Sequence, residues 1–347
     1  MPCPRRPTPL SPLGRCLLAG ALILLVATAG CRQKPETDKQ QAVTGQGQSV
    51  TICHGSVTDI LPRIAMEQGY FAAEGVTVTV KDMSDGKLSF EAMLAGECTF
   101  AINGEPPIAL RDPQHANFAI LATVMSDDDA AKIIMRRDHG VKGPMDLKGK
   151  RIAVKQGIIG HLFLDLFMMK HGLRQEEVTL VPMEPAAFQA ALTKGDIDGF
   201  AMTNKLVRAA AKGLGDQAVV FAEPGLNIIH GILTTRTDLP HSLQAAPSVL
   251  RALVRAERFA KSDPAAAKAL LAKAYNFSAE ELDDIWARTT IEVALANTIF
   301  GKLEDQYAWQ VERGFFPAFT TPPNYLPIVA PNYLLAIKPE AVSVVSP

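Results

Sequence analysis

Seven histidines, five cysteines and 36 carboxylates are the reactive side chains of this 347-residue chain, and their spacing says more than their number. No histidine stands four residues from another histidine or a cysteine as a helical metal site would need, and there is no G-x-S-x-G, H-E-x-x-H, paired C-x-x-C or Walker loop. Asp127, Asp128 and Asp129 form an acidic run that could attract a divalent cation, but a solvated turn accounts for them more simply. Gly45-Gln46-Gly47 lacks the third glycine of a phosphate loop. What remains is a set of polar loops that follow short apolar runs: Cys53-His54-Gly55-Ser56, Asn103-Gly104-Glu105-Pro106, Gln156-Gly157-Ile158-Ile159-Gly160-His161 and Thr203-Asn204-Lys205. Such loops supply hydrogen-bond donors and acceptors without a nucleophile and base, which is the chemistry of holding a solute. No catalytic residue, metal or cofactor is expected.

Within these loops each residue has two readings. Glycines at 157 and 160 free the backbone to approach a ligand, and the first helical turn after them has unpaired N–H groups that can hold an anion; the same residues also describe an ordinary strand-to-helix turn. His161 is either a ligand donor or a cap or core residue. Cys53 is either a small buried apolar residue or a ligand contact. Glu105 either neutralises a cationic ligand or caps the helix that starts at Pro106 and Pro107. His230, on a strand returning toward the first loops, completes the candidate set.

The elements that must position these loops alternate between strand and helix. Val50 to Cys53, Val76 to Val80 and Thr99 to Ile102 are apolar or alternating strands; Ile60 to Ala65 and Phe90 to Leu94 have helical spacing and stop at Gly69 and Gly96. A second unit repeats the pattern: strands Arg151 to Lys155, Val178 to Val181 and Ile197 to Met202, with helices Gly160 to His171 and Pro185 to Lys194, the latter with proline at its first turn and Gly195 past its end. Met93-Leu94-Ala95-Gly96-Glu97-Cys98-Thr99-Phe100 echoes Ala191-Leu192-Thr193-Lys194-Gly195-Asp196-Ile197-Asp198-Gly199-Phe200, as in a duplicated lobe. Alternation of this kind predicts open, mostly parallel α/β sheets, with ligands at the carboxyl ends of the strands. After a returning strand, Ile228 to Thr235, helices over Pro247–Ser262, Pro264–Tyr275 and Ala279–Trp286 should cover the first lobe, so that lobe 1 comprises 50–137 plus 232–347 and lobe 2 comprises 138–231.

Composition agrees with a globular binder: 48% hydrophobic, 20% charged and a formal net charge of −1 leave no basic surplus for nucleic acid. The mature body should be water-soluble, and a monomer. At the N-terminus, Arg5, Arg6 and Arg15 precede the apolar run Cys16 to Val26, which reads as an export signal over residues 1–30. Thr28-Ala29-Gly30-Cys31 resembles a bacterial lipoprotein lipobox, with Thr28 where leucine or valine is usual. The resemblance implies lipidation of Cys31, which would hold the protein on the outer side of a cell-envelope membrane, and 31–49 is polar enough to be a flexible tether. Of the cysteines only Cys53 and Cys98 then remain. Because one should end a strand and the other begin a parallel strand, they are expected too far apart for a disulfide.

Gly69-Tyr70-Phe71-Ala72-Ala73-Glu74-Gly75-Val76, Asp146-Leu147-Lys148-Gly149-Lys150-Arg151-Ile152-Ala153-Val154 and Ala191 to Gly199, in that order, resemble the solute-binding proteins of sulfonate, taurine, nitrate and thiamine-pyrimidine importers. The likeness runs from about residue 50 to about residue 330. It implies a two-lobe periplasmic-binding fold of type II with a two-strand hinge, ligand in the cleft, and an ABC permease with its ATPase as partners. Sulfonate-binding relatives carry hydroxyl residues where this chain has Ile158, Ile159 and Gly160, and some have Trp-Asp-Pro where it has Thr203-Asn204-Lys205. Both departures favour a neutral or partly apolar solute over a sulfonate. Two alternatives stay open: an enzyme of the thiamine-pyrimidine-synthase type, whose cysteine-rich motif is absent here, and a sensor partner that presents ligand to a membrane kinase.

Overall fold

A computed structural model describes residues 47–55, 60–318 and 323–344. The export signal, Cys31, most of the tether and Ser56 lie outside the described residues. From Gln48 onward the chain builds two α/β lobes, each around its own sheet.

The first lobe opens with β1 (Gln48–Gly55), α1 (Ile60–Glu67), α2 (Tyr70–Ala73), β2 (Val76–Met83), α3 (Gly86–Ala95), β3 (Phe100–Asn103), α4 (Glu105–Ala109) and β4 (Phe118–Asp127). The Asp85 side chain caps α3 by accepting from the Leu88 N–H at 2.9 Å, and Gly96 ends the helix at φ 83°. The second lobe holds β5 (Ala131–Arg136), β6 (Arg151–Val154), α5 (Ile159–Lys170), β7 (Thr179–Pro182), α6 (Pro185–Lys194), β8 (Gly199–Thr203), α7 (Asn204–Leu214) and β9 (Ala218–Phe221). Helix α6 starts on Pro185 and ends on Gly195, also at φ 83°, so the sequence echo between the two units is an echo of structure. The chain then returns through β10 (Ile229–Arg236), α8 (Pro240–Ser262), α9 (Pro264–Tyr275), α10 (Ala279–Arg288), β11 (Thr289–Ala294), α11 (Thr298–Glu312) and α12 (Pro331–Leu335).

The first sheet has the order β11-β4-β10-β3-β1-β2 and the second β7-β6-β8-β5-β9. Strand β1 pairs in parallel with β2 and β3, and β6 in parallel with β7 and β8, as the alternating pattern requires. The strands next to the crossings, β4 and β10 in one sheet and β5 in the other, pair antiparallel, so both sheets are mixed. In the second sheet neighbouring residues face opposite layers: Ile133 packs in the core with Phe163 of α5, whereas Ile134 packs with Phe188 of α6 and Val207 of α7. Helices on both faces are what make these strands continuously apolar.

The structure corrects several expectations. The lobe boundary at residue 137 is too late, because β5 hydrogen-bonds to β8 and β9 of the second sheet. The boundary at 231 is also late, because β10 already pairs with β4 at Ile229. The crossings therefore run through 128–130 and 222–228. The strand reading also began at residue 50, whereas pairing begins at Gln48, inside the expected tether. Helix α8 begins at Pro240 and carries Pro247 inside it instead of starting there. Asp127 and Asp129 are buried, each beside a cation, Arg288 and Lys132 respectively, and are not a solvated turn.

Cys53 and Cys98 form a disulfide, with Cα atoms 5.9 Å apart. The contrary expectation placed Cys53 at the end of one strand and Cys98 at the beginning of a parallel one. In fact β1 continues to Gly55 and β3 starts only at Phe100, so Cys98 belongs to the connection from α3 and is not held in the strand ladder.

Candidate functional site

Between the lobes lies a cavity of about 430 Å³ lined by residues of both. The first lobe contributes Gly104 and Glu105 at the start of α4, and Ser84, Asp85, Gly86 and Lys87 at the start of α3; the second contributes Gln156 to Ile159 before and into α5, and Thr203 after β8. The hinge contributes Asp127, Ala130, Ile229 and His230, and α11 with its following turn contributes Gln310 and Phe315. Three of the four loops singled out from sequence therefore meet at one cavity, and Gly55 of the other reaches it too.

Of the candidates, Gly104, Glu105, Gln156, Gly157, Ile158, Thr203 and His230 line the wall. Cys53 does not: its sulfur is bonded to Cys98, and it is fully buried in β1. His54 is buried in the same strand and is not on the wall. Asn103 and Asn204 act as braces behind it. Asn103 donates to the Gly104 carbonyl at 2.9 Å and accepts from Thr234 at 3.0 Å, fixing the β3–α4 loop against β10. Asn204 donates to the Asp129 carbonyl at 2.6 Å, tying α7 to a crossing segment. His161 is fully buried behind the wall, its ring 5.5 Å from that of Trp309 and 5.0 Å from that of Phe315. Burial pushes its pKa below the usual histidine value, against the pull of Asp165.

The two glycines of the helix-start loop do different work. Gly157 has φ 75° and lies on the wall, where a left-handed residue turns the chain toward the cavity. A Cβ on Gly160 would stand 2.3 Å from the Ala201 carbonyl oxygen, so that glycine lets α5 pack against β8 and not against a ligand.

Charged groups on the wall occur as pairs. The Lys155 ammonium, just after β6, lies 2.9 Å from Asp85 of the other lobe and 3.0 Å from Glu184 of its own. Burial works against its charge, but these two carboxylates raise its pKa above the usual lysine value. Glu105 stands 2.6 Å from Nδ1 of His230. Asp127 meets Arg288 in a buried ion pair; burial pushes its carboxyl up, and the guanidinium works the other way. The lobes are also joined away from the cavity, where Trp309 donates to Asp165 at 2.9 Å and Arg313 pairs with the same carboxylate at 2.8 Å.

Sequence reasoning missed Asp85, Lys155, Asp127, Gln310 and Phe315. Asp85 had a readable signal, as an aspartate directly before a helix. Gln310 had none, because α11 reaches the cavity only through the fold.

Among the described residues no cluster of histidine, cysteine, aspartate or glutamate is placed to hold a metal ion, and no helix is long and apolar enough to cross a membrane. The chain is similar to the taurine-binding periplasmic protein of Escherichia coli, 28% identical over 170 residues, which are 48% of this chain and 52% of that one. It is 30% identical over 135 residues to a Brucella abortus chain named only as a binding protein, covering 39% of this chain and 41% of the relative. The matches thus span about half or less of these curated relatives. In three dimensions it superimposes on the alkanesulfonate-binding protein SsuA of Xanthomonas axonopodis pv. citri with a TM-score of 0.67 at 18% identity, over 83% of this chain and 99% of the other, which establishes a shared fold. The profile of the NMT1/THI5-like family matches residues 61–267, more than half of the sequence. A two-lobed α/β chain with a cavity at the hinge, matched over this length, belongs to the NMT1/THI5-like family and has the periplasmic-binding-protein fold.

Proposed function

We propose that this protein is the solute-binding component of an ABC importer, which traps a small organic solute between its lobes and presents the closed form to a permease and its ATPase. The observation that carries this reading is the shared cavity: neither lobe alone encloses it, so a solute touching Glu105 and Gln156 would favour the closed state by binding it better than the open one. A volume of about 430 Å³ suits a small metabolite. Solute contacts would come from Gly104, Glu105, Gln156, Gly157, Ile158, Thr203 and His230. Binding is favoured over turnover because the Cys53 sulfur is engaged with Cys98, and Asp85 and Asp127 are each engaged by a cation.

The same proposal places the protein in the cell envelope as a monomer, exported by residues 1–30 and lipidated at Cys31. Metabolic labelling with palmitate should mark the wild type and not Cys31→Ser. Titration calorimetry against sulfonates, nitrate, pyrimidines and amines, followed by small-angle scattering, should find one saturable ligand per chain that compacts the particle. No ligand in such screens, with one unchanging shape, would refute the proposal.

A further inference from the structure

Among the described residues, three carboxylates line the cavity, against one lysine, one histidine and the neutral polar side chains of Ser84, Gln156, Thr203 and Gln310. Asp85, Glu105 and Asp127 all line it, whereas Lys155 and Arg288, which pair with the first and last of these, are not among the described lining residues. A carboxylate on the wall whose counter-cation is off it leaves the wall side of the pair negative. Among the described residues Lys87 is the single lysine or arginine on the wall; its side chain is half exposed and lies 3.9 Å from Glu91, one turn along α3.

A second observation comes from a neutral side chain. Gln310 is fully buried on α11, and its Nε2 donates to the Pro106 carbonyl at 3.2 Å. That bond sets the orientation of the amide: among the described residues the buried Oε1 has no hydrogen-bond partner, and it lies 3.5 Å from where a Cβ on the wall residue Gly157 would stand. A buried carbonyl oxygen without a donor is unfavourable until something supplies an N–H or O–H. Glu105, one residue before Pro106, takes the His230 contacts on Oε1.

From this we infer that the solute carries a nitrogen donor, a protonated amine or amidine or another N–H-bearing group on an apolar body, and is not a simple oxyanion. The nitrogen end would lie among Gln310 Oε1, Glu105 and Asp127, and the apolar body against Pro107, Met125 and Phe315. A sulfonate or nitrate in that place would face carboxylates and a carbonyl oxygen; its donors would have to be the backbone N–H groups at the starts of α3 and α5, where the nearby ammonium of Lys155 is already taken by Asp85 and Glu184 and Lys87 is half exposed.

The inference rests on the binding function proposed above, and matched probes separate the two. Purified protein would be screened by thermal shift and calorimetry with benzylamine, benzamidine and taurine against benzenesulfonate, benzoate and ethanesulfonate. The expected result is that nitrogen-bearing members bind at least tenfold tighter than their oxyanion counterparts, and that Gln310→Met and Glu105→Gln each weaken them about tenfold while both variants keep wild-type circular dichroism. If one variant fails to fold, the other carries the comparison. Oxyanions that bind as tightly as the nitrogen compounds, or nitrogen compounds indifferent to both substitutions, would overturn the inference and leave the binding function standing. No binding by any member would count against both.

Discussion

The Lys155 ammonium of the second lobe lies 2.9 Å from the Asp85 carboxylate that caps α3 in the first, so the capping residue of one lobe is also the latch of the other. Both side chains are largely buried, and losing one leaves a desolvated partner, worth about 2 kcal/mol for a charged hydrogen bond. Lys155→Met should therefore weaken solute affinity by roughly ten- to thirtyfold and raise the radius of gyration in scattering. Asp85→Ala should do the same and also lower the melting temperature, because α3 loses its side-chain cap.

Gly160→Ala should destabilise the second lobe. Its new Cβ would be 2.3 Å from the Ala201 carbonyl, a backbone atom that cannot swing away, so a loss of about 3 kcal/mol is expected in urea unfolding. Gly157→Ala should cost about 1–2 kcal/mol from its positive φ and should lower affinity as well, because that residue lies on the wall.

The disulfide gives an independent test. Cys53 and Cys98 are 45 residues apart, and a loop of that length corresponds to about 4 kcal/mol of stabilisation through the unfolded chain. Reductant, or the Cys53→Ser variant, should lower stability by up to that amount, and thiol titration of the unreduced, unfolded body should find neither residue free.

What could be read in advance followed from period and punctuation. Pro185, Gly195 and the apolar spacing fixed α6 to the residue, and the carboxyl-end rule for open sheets pointed to the loops at Gly104 and Gln156, which line the cavity. The disulfide escaped because it depends on where β3 begins, an edge that propensity sets only within a few residues. Asp127 escaped for a different reason. Three aspartates in a row look solvated until Arg288, 161 positions later, is brought beside the first of them. His161 was legible as a helix-start residue, but its burial depends on Trp309 and Phe315, which only tertiary packing supplies.

That burial makes a pH prediction. Burial lowers the pKa of His161 in the folded protein, while the unfolded chain binds a proton there as pH falls below about 6.5. The unfolded state then holds more protons, so stability is present above that pH and is lost on acidification toward the folded value, with a slope of at most ~1.4 kcal/mol per pH unit. His161→Phe, which can pack on the same aromatic rings, should flatten this part of the profile in chemical unfolding followed from pH 7 downward.

The most direct test of the account is a crystal structure of the protein with the solute that co-purifies with it. The solute should lie at the hinge, within contact distance of Glu105 on one lobe and Gln156 on the other. A solute bound to one lobe only, or on the outer surface away from Gln310, would contradict it.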